Sequence, residues 1–334
     1  MSGLSYHYAL PPELIAQEGV EPRDASRLMV LHRDSGRLEH RIFREIPLYL
    51  RPGDVLVLNE SKVIPARLYA RKPTGARIET FLVRDLGENR WEVLLRPAHK
   101  APVGTELWFP DGLRARVEGV EADGTRVLRF SESVWEHLER LGQTPLPPYI
   151  HAAVDPQRYQ TVYAKTPGSV AAPTAGLHFT PELLERIQAM GVELHTVTLH
   201  VGPGTFKPVK GDPEAHPMHT EPYEIPAESA RAINQAKAEG RRVIAVGTTV
   251  VRTLESAWGR EGLEAGVGQT QLFIRPGFTF RAVDALVTNF HLPNSTLLML
   301  VSAFAGHERV LQAYQTAVEE RYRFYSLGDA MLIL

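Results

Sequence analysis

Six short apolar runs follow one another between residues 64 and 130, and Gly, Asp and Asn residues separate them at close intervals. Short strands with turn residues between them are typical of a small antiparallel barrel. The pattern therefore predicts a β-barrel in this part of the chain. Its strands are predicted at Ala66 to Ala70, Arg77 to Val83, Trp91 to Leu95, Glu106 to Phe109, Leu113 to Val117 and Arg126 to Phe130.

Helices and strands alternate on both sides of this region, which indicates an α/β layer. Strands are predicted at Leu28 to His32, Leu38 to Phe43, Val55 to Leu58, Val192 to Leu199, Arg242 to Val246 and Ala285 to Thr288. Helices are predicted at Pro11 to Gln17, Ser133 to Leu141, Pro181 to Ala189, Ala227 to Ala238, Thr248 to Trp258, Thr296 to Phe304 and Glu308 to Arg321. We therefore expect an α/β main domain formed by both chain ends, residues 1–62 and 150–334, with an inserted small antiparallel β-barrel domain at 63–149.

Composition limits the function classes. With 334 residues, 43% of them hydrophobic and 23% charged, the chain can form two domains with ordinary cores. It lacks a long apolar run and a signal-peptide pattern, so we expect a cytoplasmic protein without a membrane partner. The absence of cysteine excludes disulfides and thiol chemistry. A net charge of −2 argues against nonspecific coating of nucleic acid, although a local basic patch can still hold one RNA.

The segment from Tyr159 to Thr180, YQTVYAKTPGSVAAPTAGLHFT, has no apolar period over Thr166 to His178. Long irregular segments inside compact domains usually bind or cover something, and small residues let backbone amides approach a ligand. An ordinary surface connection is the alternative.

Polar, glycine-punctuated segments follow several predicted strands. HVGPGTF at 200–206 follows one strand, GTT at 247–249 leads from another into a helix, and TNFHLPNST at 288–296 follows a third. Ligands of open α/β sheets bind at the carboxyl ends of strands, and helix N-termini offer free amides there. Arg252 and Glu255 could bind a ligand or merely pair with each other.

The segment HPMHTE at 216–221 brings two histidines and a glutamate together. A metal site is conceivable, but Pro217 breaks the helix on which the two imidazoles would converge, and we predict no metal. His219 and Glu221 would point to one side of an extended segment, which suits an acid/base pair or a ribose contact.

Together these segments resemble the S-adenosylmethionine:tRNA ribosyltransferase-isomerase family of queuosine biosynthesis (the QueA family). The resemblance covers essentially the whole chain. The segments that carry it are YHYALPPELIAQ and RDASRLMVL near the start, GDVLVLNESKVIPARL at 53–68, GSVAAPTAGLHFT at 168–180, HVGPGTF at 200–206, HPMHTEPYEI at 216–225, VIAVGTTVVRTLE at 243–255, VTNFHLPNSTLLMLVSAFAG at 287–306 and YRFYSLGDAMLI at 322–333. A mild departure is Glu60-Ser61, where the family more often has Asp or Asn followed by Thr.

The resemblance implies an α/β domain with an inserted β-barrel. It also implies that S-adenosylmethionine donates its ribosyl unit to the exocyclic amine of 7-aminomethyl-7-deazaguanine at the tRNA wobble position, which yields epoxyqueuosine, adenine and methionine. We expect a base to remove a proton from the 5′ carbon beside the sulfonium, after which adenine leaves, the amine attacks and ring closure expels methionine. A neutral imidazole suits the first step, and the departing adenine needs a proton donor.

The predicted residues form three groups. The candidate bases are His178, His219, His200 and His291, with His178 and His219 preferred, although any single one of them could instead orient a neighbour. The candidate S-adenosylmethionine contacts are Gly202, Thr205, Gly247, Thr248, Thr249, Arg252, Glu221 and Asn289. The candidate contacts to the tRNA anticodon stem and loop are Lys62, Arg67, Arg71, Lys72, Arg77, Arg23 and Arg27, with a solvated surface as the alternative for the barrel group.

Two other classes remain open from the residues alone. A metal-dependent hydrolase would use the histidine-rich segments, and a noncatalytic RNA-binding protein would use only the basic cluster. An ordinary methyltransferase is less attractive because no G-x-G-x-G loop follows an early strand. The sequence does not fix the oligomeric state.

Overall fold

The first and last strands of the chain lie side by side in one sheet. The computed structural model describes residues 3–206, 209–212 and 215–334. In it, strand Arg27–Leu31 pairs in parallel with strand Ala330–Ile333, with Leu28 opposite Ala330. Both chain ends therefore build one α/β domain, which confirms the predicted fold class.

Nine strands of the described chain form the main sheet: β1 Arg27–Leu31, β2 Leu38–Ile42, β3 Val55–Asn59, β12 Glu193–Leu199, β13 Glu221–Ile225, β14 Val243–Val246, β17 Gly266–Thr270, β18 Ala285–Asn289 and β19 Ala330–Ile333. Their order in the sheet is β17-β13-β12-β3-β14-β18-β19-β1-β2. Strands β12, β3, β14 and β18 run parallel, so their carboxyl ends meet at one edge of the sheet. We call this edge the carboxyl edge.

Helices cover one face of the sheet, and short 3-10 helices with one α-helix cover the other. The α-helices are α1 Leu138–Leu141, α2 Pro181–Ala189, α3 Ala227–Ala238, α4 Thr248–Ser256, α5 Thr296–Ala305 and α6 His307–Glu319. The 3-10 helices are Pro12–Leu14, Arg23–Ala25, Phe43–Tyr49, Ala98–Lys100, Pro110–Gly112, Val134–Glu136, Thr174–His178 and Pro203–Phe206. Side chains alternate between the two cores along each strand, so Val55 and Val57 pack with α3 to α6, whereas Leu56 and Leu58 pack with α2.

Six antiparallel strands close the predicted barrel in the order β10-β7-β6-β5-β8-β9. They are β5 Arg67–Arg71, β6 Arg77–Gly87, β7 Arg90–Arg96, β8 Glu106–Trp108, β9 Arg114–Val120 and β10 Arg126–Phe130. Alternate residues of each strand, such as Leu68 and Ala70, fill its interior. The remaining strands of the chain are β4 Ser61–Val63, β11 Thr166–Ser169, β15 Trp258–Gly259 and β16 Gly262–Leu263.

The chain divides into two compact units. The first comprises Met1–Lys62, Pro147–Thr166 and Ala172–Leu334, and the second comprises Val63–Leu146 and Pro167–Ala171. The sequence had assigned the short segment 167–171 to the α/β domain and residues 147–149 to the barrel domain. In the part of the chain that the structure describes, no helix is long and apolar enough to span a membrane.

Several predicted elements differ from the structure. The helix expected at Pro11 to Gln17 is a three-residue 3-10 turn, because two prolines open it and Ile15 is extended. The helix expected at Ser133 to Leu141 breaks into a 3-10 turn and the short α1. Strands β13 and β17 were missed because one contains proline and the other is glycine-rich and largely exposed, which hides the usual strand pattern.

Candidate active site

The carboxyl edge collects most of the segments that the sequence singled out. His200 follows β12, Gly247 follows β14, and Asn289 ends β18. Glu221 opens β13, which runs antiparallel to β12 and therefore begins at the same edge. Since β3 and β14 separate β12 from β18, the two sides of the edge lie about 14 Å apart at the usual strand spacing.

His178 is the centre of a saturated hydrogen-bond network on the β18 side. Its Nε2 atom lies 2.7 Å from Oδ1 of Asn289, and its Nδ1 atom lies 2.7 Å from Oγ of Ser26. The amide nitrogen of Asn289 donates to the carbonyls of Tyr325 and Ser326, both at 3.1 Å, so its oxygen must face the imidazole. This arrangement makes His178 a donor at Nε2 and an acceptor at Nδ1, which is the neutral form.

Burial keeps two histidines on this side neutral. It lowers the pKa of His178 to about 4, and the ring also stacks on Phe43 with centroids 4.9 Å apart. Burial likewise lowers the pKa of His291 to about 4. The Nε2 atom of His291 lies 2.7 Å from Oγ1 of Thr288, and its backbone amide donates to the Tyr314 hydroxyl at 2.8 Å. The His178 imidazole therefore joins separate segments, whereas that of His291 bonds its own strand end and its backbone amide makes the contact to α6.

His200 on the β12 side has a different environment. Its backbone amide donates to the carbonyl of Pro222 at 3.1 Å, which fixes the residue to β13. Its Nδ1 atom is buried and has no hydrogen-bond partner among the described residues. Burial lowers the pKa of His200, so the ring is neutral at pH 7. A neutral imidazole nitrogen without a partner can accept a proton from a ligand.

A buried ion pair lies beside His200. Nη1 of Arg252 in α4 donates to Oε1 of Glu221 at 2.7 Å, and both side chains are less than 10% exposed. The other carboxylate oxygen of Glu221 accepts from the backbone amide of Gly202 at 3.2 Å. The pair therefore ties α4 to the glycine-rich turn after β12. Nε of Arg252 is buried and has no partner among the described residues.

The alternative pairing of Arg252 with Glu255 is wrong. Glu255 instead accepts hydrogen bonds of 3.0–3.2 Å from the backbone amides of residues 281, 282 and 283. The carboxylate thus anchors the segment that leads into β18. Arg252 is left to pair with Glu221.

Helix α4 begins in the middle of the edge, between the two sides. Gly247 has a φ of 97°, which favours glycine, and no side chain caps the helix start. Thr249 lies close to Asn59, whose amide nitrogen donates to its hydroxyl at 3.2 Å. Thr248 is buried at the helix start. The first amides of an uncapped helix favour an anion or a polar ligand.

His219 and Thr205 are exposed at the β12 side. The imidazole of His219 packs against Gly204, where any side chain would overlap it. This contact joins the segment before β13 to the turn after β12, so the two histidine-bearing turns lie together. Among the described residues, no three His, Asp or Glu side chains are grouped so that they could hold a metal ion.

Three residues at this edge escaped the sequence reasoning. Asn59 is buried, donates to the carbonyl of Leu199 and accepts from its amide, each at 3.1 Å. Ser26 bonds His178, as described above. Tyr163 packs its buried hydroxyl against Gly176, and this hydroxyl has no partner among the described residues. A signal existed only for Asn59, because VLVLN and ALVTN both end their strands in asparagine.

The predicted tRNA contacts are only partly free. Arg23 donates to the backbone carbonyls of Gln157 and Gln160, Arg27 lies over the Tyr322 ring, and Arg67 pairs with Glu79 at 3.5 Å. These three guanidinium groups are committed to the fold. Lys62, Arg71 and Arg77 are exposed, although Arg71 donates to the carbonyl of Gly75 at 3.1 Å and Arg77 lies over the Tyr69 ring. The ammonium group of Lys72 donates to the carbonyl of Lys100.

Two grooves lie away from these polar groups. One, of about 730 Å³, is lined mainly by apolar side chains, among them Tyr8, Leu10, Pro293 and Tyr325. It adjoins the β18 side, because the Tyr8 hydroxyl donates to the carbonyl of His291. The other, of about 550 Å³, includes Arg51 and lies at the opposite edge of the sheet. None of the predicted site residues lines either groove, so we locate the candidate site by its chemical groups.

Comparison with known proteins shows the family of the chain. A family model described as queuosine biosynthesis protein matches residues 4–333. Three similar proteins are each named S-adenosylmethionine:tRNA ribosyltransferase-isomerase. The protein of Thermus thermophilus is 65% identical over 100% of both chains, that of Thermotoga maritima 60% identical over 98% of both, and that of Deinococcus radiodurans 56% identical over 98% of this chain and 93% of the other.

A solved structure extends the likeness to the fold. The crystal structure of S-adenosylmethionine tRNA ribosyltransferase from Thermotoga maritima superposes with a TM-score of 0.59 and 50% identity, and the match covers 98% of this chain and 99% of that one. The chain belongs to the queuosine biosynthesis protein family.

Proposed function

We propose that this protein is an S-adenosylmethionine:tRNA ribosyltransferase-isomerase. The observation that carries the proposal is 65% identity over the full length of both chains to a protein of that name. The acceptor is the amine of 7-aminomethyl-7-deazaguanine at the tRNA wobble position, and the products are epoxyqueuosine in tRNA, adenine and methionine. The carboxyl edge supports the proposal because it combines a neutral base, a buried arginine and an uncapped helix.

The donor binds at the start of α4. Its methionine carboxylate and ribose hydroxyls are polar groups that suit the free amides after Gly247 and the hydroxyls of Thr248 and Thr249. Arg252 supports this end of the ligand through its unpartnered Nε, while Glu221 holds its Nη1. Gly202 and Asn289 serve as positioning residues, since their amides are used within the protein.

His200 is the base that removes the proton from the 5′ carbon. Its unpartnered Nδ1 favours it over His178, which has both nitrogens hydrogen-bonded. His178 and His291 instead hold the β18 side in place. His219, exposed beside Gly204, remains the second candidate base.

The departing adenine accepts a hydrogen bond from the Tyr163 hydroxyl. Burial raises the pKa of this tyrosine, so the hydroxyl keeps its proton at neutral pH and serves as a hydrogen-bond donor, not as an acid. The hydroxyl has no partner among the described residues and lies against Gly176, in the segment of glycines and hydroxyls that the sequence singled out. A Tyr163→Phe variant should release adenine more slowly.

A two-product assay tests the function. The protein is incubated with S-adenosylmethionine and tRNA that carries the 7-aminomethyl base, and free adenine and the tRNA mass are measured together. We expect one adenine released for each ribosyl unit gained by the tRNA, and none with tRNA that carries guanine at the wobble position. A tRNA that gains only a methyl group, or binds without change, contradicts the proposal.

A further inference from the structure

Three arginines and a tryptophan stand in one line across the outside of the barrel. The strand register places Arg114 opposite Trp108, Trp108 opposite Arg71, and Arg71 opposite Arg77. All four side chains are exposed, and 43% of the Trp108 surface is accessible. The line crosses β9, β8, β5 and β6 and is about 14 Å long at the usual strand spacing. We call these four residues the Arg–Trp row.

The arginines of the row are not neutralised by carboxylates. Among the described residues, no carboxylate pairs with Arg71, Arg77 or Arg114, although the Arg71 guanidinium donates to the backbone carbonyl of Gly75 at 3.1 Å. Four other arginines of this unit do pair with carboxylates at 2.5–3.5 Å: Arg67 with Glu79, Arg84 with Glu92, Arg129 with Glu118, and Arg140 with Asp111. Like charges on neighbouring strands destabilise a sheet, so Arg71 beside Arg77 has a cost that a bound anion would offset.

Further positive charge lies at the same end of β5. The ammonium group of Lys72 donates to the backbone carbonyl of Lys100 at 2.7 Å, which brings two lysines together next to Arg71. Two acidic residues flank the row. Glu106 lies two residues before Trp108 and opposite Arg116, and Glu79 lies two residues after Arg77 and pairs with Arg67. The row itself contains no acidic residue.

Aromatic rings alternate with these cations. The guanidinium carbon of Arg77 lies 4.0 Å from the centre of the Tyr69 ring, and that of Arg114 lies 5.4 Å from the centre of the Trp108 ring. Exposed aromatic rings next to unpaired cations match RNA, because phosphates bind the cations and an unstacked base stacks on a ring. An acidic peptide would use the cations but give the exposed indole no partner.

We propose that the Arg–Trp row is an RNA-binding surface, in which Arg71, Arg77 and Arg114 contact phosphates and Trp108 stacks with an unpaired base. The identity of that RNA as the tRNA substrate rests on the proposed function. The surface extends the basic cluster predicted from the sequence, because Trp108 and Arg114 come from strands that this cluster did not include.

Charge removal with a matched control tests the phosphate contacts. One variant combines Arg71→Gln, Arg77→Gln and Arg114→Gln, and the control combines Arg84→Gln, Arg129→Gln and Arg140→Gln, which removes the same charge. Affinity of the full-length protein for tRNA is measured from low to high KCl. We expect the row variant to bind at least tenfold more weakly than the control at moderate salt, with a salt slope shallower by about 2 to 3. Equal affinity and slope in the two variants overturn the proposal.

Substitution of Trp108 tests the stacking contact. We expect Trp108→Ala to weaken tRNA binding by roughly 5- to 150-fold, and Trp108→Phe to retain most of it because it keeps an aromatic ring. An alanine variant that stays folded and binds like the wild type overturns the stacking role. Thermal unfolding of each variant identifies any loss of folding.

The two proposals fail in different ways. If wild-type protein modifies the tRNA but the row variant binds as tightly as its control, the surface is wrong and the proposed function stands. If wild-type protein releases no adenine but the row variant still loses RNA affinity, the surface stands and the proposed function is wrong.

Discussion

The two sides of the carboxyl edge use the same kind of residue in opposite ways. On the β18 side, both nitrogens of His178 and both ends of the Asn289 amide are hydrogen-bonded within the protein. On the β12 side, Nδ1 of His200 and Nε of Arg252 are buried without partners among the described residues. Leaving a buried polar atom unpaired costs about 1–3 kcal/mol, so such atoms need an explanation.

The difference indicates which histidine holds the fold and which one is available to react with a ligand. A histidine whose nitrogens are both engaged can hold three segments together but has no lone pair to offer a ligand. A histidine with a free, buried nitrogen is kept at some cost to stability, which a ligand can offset when it binds. We therefore assign a fold-holding role to His178 and the role of base to His200, and four predictions test that division.

The largest expected effect is on turnover. His200→Gln should lower the rate of adenine release by roughly 100- to 10,000-fold, the usual contribution of a general base, with little change in the unfolding temperature. His195→Gln, on the strand that precedes His200, is the control and should keep normal turnover. If the His200 variant releases adenine at a near-normal rate, the base is instead His219 or a histidine on the β18 side.

Breaking the buried ion pair should reduce stability. Glu221→Ala leaves the guanidinium of Arg252 buried without its carboxylate, which costs about 3–5 kcal/mol in free energy of unfolding. The exposed Glu224 of the same strand provides the control, and Glu224→Ala should change stability by less than about 0.5 kcal/mol. Chemical denaturation measures the stability of both variants. If Glu221→Ala and Glu224→Ala lose similarly little stability, the ion pair does not hold α4 to the turn.

Removing the saturated histidine should also destabilise the protein. His178→Ala leaves Oδ1 of the buried Asn289 without its partner and opens a gap beside Phe43, so we expect a loss of roughly 2–4 kcal/mol. His151→Ala, at an exposed position, is the control. A His178 variant with full stability and no turnover would reverse the roles that we assign to the two sides.

The smallest effect is on the pH dependence of stability. The pKa of His178 is about 4 in the folded protein and ~6.5 in the unfolded chain, so the unfolded chain takes up a proton first as the pH falls. Stability should decrease between pH 6.5 and about 4, and this histidine alone contributes about 2 kcal/mol between pH 7 and pH 5. His178→Gln, which cannot titrate, should flatten the curve by that amount, and an unchanged curve contradicts the buried neutral form.

Much of the fold followed from local patterns. Helices α2 and α3 have the predicted bounds, and Thr180 caps α2 by accepting from the amide of Leu183, because cap residues and apolar periods are local signals. The α/β domain built from both chain ends was also predicted, but the parallel pairing of β1 with β19 depends on residues about 300 positions apart. No local pattern encodes such a register.

Only the local features of the site could be predicted from the sequence. Glycine and histidine after a strand mark the carboxyl edge, so Gly247, His200 and Asn289 could be named in advance. Whether an imidazole is saturated or free depends on Ser26, more than 150 positions from His178, and on the carbonyls of Tyr325 and Ser326. The preference for His178 as the base came from its local sequence, which does not show that distant residues occupy both nitrogens.

The most direct test of the division is the fate of the 5′ hydrogen. S-adenosylmethionine that carries tritium on its 5′ carbon is given to wild-type, His200→Gln and His178→Gln protein with saturating tRNA, and tritium released to water is counted. We predict that the wild type releases tritium to water and that His200→Gln releases almost none. The folded fraction of His178→Gln should still release it. Wild-type release by the His200 variant, with loss confined to the His178 variant, would contradict the account.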